Sequence, residues 1–561
     1  MASLLPVVEP KACLVGTPAY QEARKSILDE FAATVPRNLV LPEDTIRNPP
    51  VNVTGIPRQC GLLSETELDM TENYDATALA DAIASRRFTS VDVVSAFAKR
   101  ALIAHQLSCC LTEWFLPEAL EHARKLDNHL ASTGTTVGPF HGVPISVKAH
   151  IPIAGHWSDA GYLDTRVKDD QDSQMIAILR RAGAVFYCKT NQPQSIMHLE
   201  STSFYGRTLN PHNINLSAGG STGGEAALIA LRGSVLGIGT DIGGSVRGPA
   251  AFCGIYGYKP TSYVLPMKGF LPGGGMAAEM NVICSTGPMC LTLRDMHLFT
   301  RVILAAKPWI EDPRIIPIPW TGMSSAASRL FPLASLRIGL MAHDEAIVPQ
   351  PPVTRALAWA KAQLESAGCQ VKPFKPYKMS QIMTNIRRAY WPATAAFMDD
   401  HFARSGEPKH PLTEWITQEA PSKELLATEV FRQRVLRDRM RSDFSFAWNQ
   451  QDVDFVLCPA FVGPASSHDT AWYWNYTALW NYLDCPGVVI PTPIRALAKG
   501  STQDEYEIKE PLSKECAEVR KLWDEGNFEG APINLQFVAR RYHDNELFAM
   551  LAAVKNTLQL P

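Results

Sequence analysis

The spacing of apolar and polar positions changes period several times along the chain, and each change predicts an element. Helical spacing, with apolar residues three and four apart, runs through residues 19–33, Asp75–Arg87, the stretch opened by Thr89-Ser90, and Leu116–Ala131. At His141–Lys148 it gives way to a β-type run that ends on a lysine. Ser173–Ala182 reads as a helix feeding a strand at Ala184–Lys189, which predicts an α/β unit with a right-handed crossover. Leu336–Met341, Pro352–Gly368 and Gln370–Phe374 predict a further β-α-β unit. Asp454–Cys458, Gly487–Pro491 and Ile533–Val538 predict buried strands returning to the sheet, and Asp544–Leu558 a closing helix.

Four stretches fall outside these periods. Residues 34–74, rich in Pro, Asn and Thr, predict an irregular arm laid over the body. Leu265–Gly287, centred on Pro272-Gly-Gly-Gly275, predicts a loop able to cover a site. The more polar region 376–450 predicts a helical insertion at the substrate entrance, and Thr492–Gly530 a charged excursion. The expected organisation is therefore residues 1–74 as N-terminal helix and arm, followed by one α/β domain over 75–561, a large twisted mixed β-sheet surrounded by α-helices. Its catalytic core is expected at about 135–310 and its insertion at about 376–450.

With 561 residues, 46% of them hydrophobic and 19% charged, the chain has ample apolar surface for a sizeable core. A net charge of −3 without a local Lys/Arg block gives no electrostatic case for nucleic acid. The twelve cysteines are scattered, with one vicinal pair, Cys109-Cys110, and no C-x-x-C or Cys/His ligand spacing, which predicts reduced thiols and no structural zinc. Met1–Cys13 lacks a basic stretch followed by a long apolar one, and no 18-residue apolar run occurs later. The expectation is a cytoplasmic protein without a membrane association.

The chemistry concentrates between Gly219 and Gly254, where two hydroxyls, Ser221 and Ser245, each stand against consecutive glycines. Glycine lets a backbone turn tightly and bring its N–H groups close to an anion or a developing oxyanion. Helices predicted at Glu225–Leu231 and Val246–Phe252 would set both serines near helix N-termini, where partial positive charge gathers. The residues between them are too apolar for a linker, and no Gly-Lys-Ser/Thr follows as in a phosphate-binding loop. Gly219-Gly-Ser-Thr-Gly223 spells G-x-S-x-G, but Asn210-Pro-His-Asn-Ile-Asn is a poor strand to lead into a nucleophile elbow. No Ser-His-Asp arrangement accompanies either serine, so the candidate base is Lys148, which burial would convert to the neutral amine.

These residues resemble the amidase signature family. The resemblance is carried by Gly142-Val-Pro-Ile-Ser-Val-Lys148, by Gly219-Gly-Ser-Thr-Gly-Gly-Glu-Ala-Ala-Leu-Ile-Ala, by Gly239-Thr-Asp-Ile-Gly-Gly-Ser245-Val-Arg, and by the 24 residues from Ser221 to Ser245. Ile56–Leu63, Asn73–Leu79, His468-Asp-Thr and Tyr476–Tyr482 look similar to its fungal acetamidase-like branch. The resemblance implies a Ser-cisSer-Lys triad. Ser245 would attack the amide carbonyl and form an acyl-enzyme, Ser221 would relay its proton, and Lys148 would be the ultimate base. It also implies an oxyanion hole from the N–H groups of Ile242, Gly243, Gly244 and Ser245, an acyl pocket bordered by Ser195 and Ile196, no metal or organic cofactor, and a homodimer as one assembly by analogy.

The implied reaction is hydrolysis of a C–N bond in a small or medium carboxylic amide. Esterase or acyl-transfer chemistry on the same acyl-enzyme is the alternative, and a catalytically silent binding subunit is the alternative from another class. Asp241 and Arg247 read as a structural ion pair framing the nucleophile, and the histidines and the Trp472/Trp474/Trp480 cluster as core or pocket wall. Several positions depart from the family pattern. Lys148 is followed by Ala149-His150 where aspartate is common after the lysine, Ser158-Asp159 replaces Thr-Thr, Ala218 replaces a proline, and Met280–Cys284 is unusual. These departures predict an easily reached neutral Lys148 and a pocket altered for a substrate other than acetamide.

Overall fold

A computed structural model describes residues 5–271, 280–324, 332–391 and 393–561. The expected centre of the covering loop, Pro272–Gly275, lies outside the described residues.

Among the described residues, eleven strands form one mixed sheet. In chain order they are β1 (Leu111–Trp114), β2 (Pro144–Lys148), β3 (Val185–Thr190), β4 (Leu236–Asp241), β5 (Tyr256–Lys259), β6 (Ser285–Cys290), β7 (Arg337–Leu340), β8 (Gln370–Pro373), β9 (Phe455–Pro459), β10 (Gly487–Arg495) and β11 (Pro532–Val538). Their spatial order is β1-β3-β2-β4-β6-β5-β10-β11-β9-β7-β8. The pairs β3/β2, β2/β4, β9/β7 and β7/β8 are parallel and the rest antiparallel, so the sheet is mixed as expected. Both faces of its centre are covered, and β2, β3, β4, β5, β6, β9 and β11 are buried along their whole length. That two-sided burial explains why β2, β3 and β9 read as apolar runs rather than as alternation.

The helices that matter for the site are α1 (Pro18–Thr34), α2 (Ser90–Ser108), α3 (Gly223–Ala230), α4 (Arg247–Cys253), α5 (Met379–Tyr390), α6 (Ala427–Gln450) and α7 (Asn475–Tyr482). α2 opens with a capping box, in which the Thr89 side chain accepts from Asp92 N–H and the Asp92 carboxylate reaches back to Thr89 N–H. The expected insertion is helical and includes α5 and α6.

Four expectations need correction. The arm at 34–74 is not wholly irregular, because Glu65–Asn73 is a helix started by the reciprocal Ser64/Glu67 capping box. The loop expected over Leu265–Gly287 ends earlier, because Ser285–Cys290 is a strand despite its Gly and Pro, ladder-paired to β4 on one side and β5 on the other. The charged excursion holds the end of β10 and the helix Lys514–Glu525, which buries Cys516 and Val519. A strand does lead toward Ser221, Asn213–Ser217, but it pairs with Leu209–Asn210 in a separate ribbon rather than with the main sheet. Among the described residues no helix is long and apolar enough to cross a membrane.

Candidate active site

Parallel pairing of β2 with β4 puts Gly237 opposite Ser146 and Ile238 opposite Val147, so both strands end on the same edge of the sheet. Outside the carboxyl ends of parallel strands is where open α/β sheets present their ligands. Lys148 is the last residue of β2, and Thr240 and Asp241 are the last two of β4. Beyond β4 the chain turns through Ile242-Gly-Gly-Ser245 into α4, while Ser221 lies just ahead of α3. Thr222 N–H donates to Ser245 C=O at 3.1 Å and so ties the two serine loops together. The Gly220–Ser221 peptide is cis.

Lys148 is fully buried and its Nζ lies 2.6 Å from Ser221 Oγ and 3.2 Å from Thr240 Oγ1. Burial pushes its ammonium down to about 7, against weaker opposing pulls from Cys284, Asp241 and Glu225. Glu225, in the first turn of α3, is pushed up to about 8 by its own burial. Its carboxyl accepts from Thr190 Oγ1 at 3.1 Å and makes a shorter contact with Ser146 Oγ. A largely neutral Glu225 is a weak counter-ion near neutral pH, so the lysine amine is not drawn back to the ammonium. Gly237 makes room for that carboxyl, since a Cβ there would come within 2.2 Å of Glu225 Oε2. Thr240 Oγ1 also lies 3.2 Å from His150 Nε2, which brings one of the unusual residues after the lysine into the same hydrogen-bonded group. Ala149 is buried and donates its N–H to Thr190 C=O at 3.0 Å.

The loop that carries Ser245 is held at successive carbonyls. Asn481 Nδ2 donates to Asp241 C=O at 3.2 Å, Tyr390 Oη to Ile242 C=O at 2.8 Å, Thr477 Oγ1 to Gly243 C=O at 2.7 Å, and Gly248 N–H to Gly244 C=O at 2.6 Å. Asp241 Oδ1 accepts the Gly244 N–H at 2.8 Å. This departs from the expected set of four oxyanion donors, because the Gly244 N–H is already committed to a carboxylate. The N–H groups of Ile242, Gly243 and Ser245 have no acceptor among the described residues.

Asp241 and Arg247 form the expected ion pair, with Arg247 Nε and Nη2 each 3.0 Å from a carboxylate oxygen and both side chains fully buried. Arg247 beside it holds the Asp241 carboxyl far below the usual range despite burial. Arg247 Nη2 also donates to Asn481 Oδ1 at 2.6 Å and Nη1 to Gln536 Oε1 at 3.2 Å, which fixes α4 against α7 and β11. The pair frames the loop that carries Ser245.

Ser195 and Ile196 lie in a buried 3₁₀ turn, Gln194–Ile196, with φ of +61° and +59°. Two consecutive non-glycine residues in the left-handed region are strained and persist only where surroundings impose it. Gln194 supplies the restraint, donating to Glu407 Oε1 at 2.6 Å and accepting from Thr413 Oγ1 at 3.1 Å, both residues of the insertion. No hydrogen bond joins Ser195 or Ile196 to Lys148, Ser221 or Ser245 among the described residues. The expected cluster of aromatics is only partly at the site: Trp474 packs on Gly243, whereas Trp480 packs with Trp448 and Phe444.

The comparison that decides the family is with the sequence profile described as Amidase, which matches residues 92–548. The chain belongs to the amidase family. It is 34% identical over 518 residues to the acetamidase of Emericella nidulans, covering 90% of this chain and 93% of that protein. It is 36% identical over 527 residues to an amidase of Gibberella zeae, covering 91% and 94%. Among solved structures, a fatty acid amide hydrolase superposes with a TM-score of 0.87 at 31% identity, covering 97% of this chain and 95% of that one. This amidase is an amide-hydrolysing enzyme with the family's fold. Sequence reasoning had reached Lys148 and the two serines, but not Thr240, Tyr390, Thr477 or Asn481. Thr240 stood inside a quoted motif and Thr477 and Asn481 inside the Tyr476–Tyr482 stretch, whereas Tyr390 carried no local signal.

Proposed function

We propose that this amidase cleaves the C–N bond of a small or medium carboxylic amide through an acyl-enzyme on Ser245. The observation that supports this most is the 2.6 Å contact of a fully buried Lys148 with Ser221 Oγ. With its ammonium near 7, the lysine is an amine for much of the time at neutral pH. It takes the Ser221 hydroxyl proton while Ser221 takes that of Ser245, and Ser245 Oγ forms a bond to the carbonyl carbon. The oxyanion is met by the N–H groups of Ile242, Gly243 and Ser245, each such donor lowering the barrier by about 3 kcal/mol. As the C–N bond breaks, the proton returns through Ser221 to the leaving nitrogen. Water then hydrolyses the ester by the reverse proton path, releasing carboxylate and ammonia or amine. Ser195 and Ile196 are assigned to the wall of the acyl pocket.

The test is a panel of primary and secondary amides, with carboxylate and released nitrogen measured in the same reaction, repeated with hydroxylamine. Equal yields of both products, and diversion of the acyl group to a hydroxamate without loss of released nitrogen, are expected. Turnover of esters alone would contradict the assignment.

A further inference from the structure

From the geometry of the nucleophile loop we infer that Tyr390, on the helical insertion, is a positioning residue that aims the Gly243 N–H at the oxyanion. The inference rests on the oxyanion hole proposed above and adds the residue that orients one of its donors. A trans peptide is planar, and its C=O and N–H point in opposite directions. The Ile242–Gly243 peptide is trans, so whatever holds its carbonyl also sets the direction of the Gly243 N–H. Tyr390 Oη donates to that carbonyl at 2.8 Å.

The neighbouring peptides are held by other means. The Gly243–Gly244 peptide is fastened at both ends, by Thr477 Oγ1 on its carbonyl and Asp241 Oδ1 on its N–H. The carbonyl preceding Ser245 accepts from Gly248 N–H, inside the first turn of α4. Among the described residues, the peptide between Ile242 and Gly243 is held by the phenol alone. Glycine at 243 removes the side chain that would otherwise hold this peptide in place, because the aromatic pair takes that space. A Cβ there would lie 2.5 Å from Trp474 Cζ3 and 2.9 Å from Tyr390 Oη.

The phenol itself is well fixed. Tyr390 is the last residue of α5, is buried, and its ring stacks on Trp474 at 5.7 Å with an 11° interplanar angle. Burial, with the Asp241 charge adding to it, holds its hydroxyl well above the ordinary range, so it stays a donor at every pH the enzyme meets. Asp241 and Arg247 act on it from the loop side with the Cys284 thiol, and Arg387 and Glu419 line the same pocket as its ring. The insertion therefore reaches through α5 into the chemistry of the loop it packs against.

Tyr390→Phe removes the one hydroxyl and keeps the ring on Trp474. Expected are a kcat at least about tenfold lower with KM within twofold, in line with the 10²–10³ seen on deleting an oxyanion donor outright. A boronic acid or trifluoromethyl ketone that mimics the oxyanion should lose affinity by the same factor as kcat/KM. The melting temperature should move by no more than a degree or two. A merely structural role would lower stability and leave the ratio of inhibitor affinity to KM unchanged, and that result overturns the inference. An active wild type matched by Tyr390→Phe overturns this inference alone, whereas a wild type that turns over no amide overturns both it and the reading beneath it.

Discussion

A buried lysine that serves as a base must be deprotonated at the working pH, and the structure gives the scale of that effect. Moving the Lys148 ammonium from 10.5 to about 7 corresponds to about 5 kcal/mol against the charged form. At its ordinary value the amine would be about one molecule in three thousand at pH 7, whereas here it is about half. Burial thus supplies about a thousandfold in usable base. The sign follows directly: activity is present above the folded-state value and lost as pH falls through it. Measured from pH 5 to 9, kcat/KM should fall on the acid side with a midpoint near 7, to about one-tenth of its plateau at pH 6. Lys148→Met should lower kcat by about 10²–10⁴ and abolish that limb. A limb centred at 9 or above, or one that persists unchanged in Lys148→Met, would refute the reasoning.

Two further outcomes follow from neighbouring groups. Ala149→Asp restores a carboxylate after the lysine, and in folded protein it should favour the ammonium and move the acid limb up by about one pH unit; an unmoved limb refutes this. Arg247→Met leaves the Asp241 carboxylate buried without its partner, and such a loss costs about 3–5 kcal/mol. Thermal unfolding should show a clear drop in melting temperature, with kcat falling as the frame of Gly244 loosens, and an unchanged melting temperature would count against the assignment.

What could be read in the sequence follows from how local each signal is. β7, β8, β9 and β11 are short apolar runs or flank a strong helical period, and their positions were legible within a few residues. β1 was not, because its four residues sit between two long helices and share their apolar character. β6 was hidden by Gly287 and Pro288, which argue against a central strand; Pro288 stands opposite Ile238 and Gly287 opposite Gly239, in the most buried part of the sheet. The Ser64/Glu67 box was present in the letters and would have revealed the helix in the arm. At the site, Lys148, Ser221 and Ser245 belong to contiguous motifs. Tyr390 and Thr477 reach the same loop across 148 and 234 residues of chain, a meeting that only the folded sheet and its insertion create.

The central claim is that Ser245 is the nucleophile and that its activation runs back to Lys148. Labelling with a broad serine-directed fluorophosphonate, read by intact mass, tests it most directly. The account predicts one adduct on the wild type, none on Ser245→Ala, and much slower labelling of Lys148→Met. An adduct that persists on Ser245→Ala, or a folded wild type that takes no label, would contradict it.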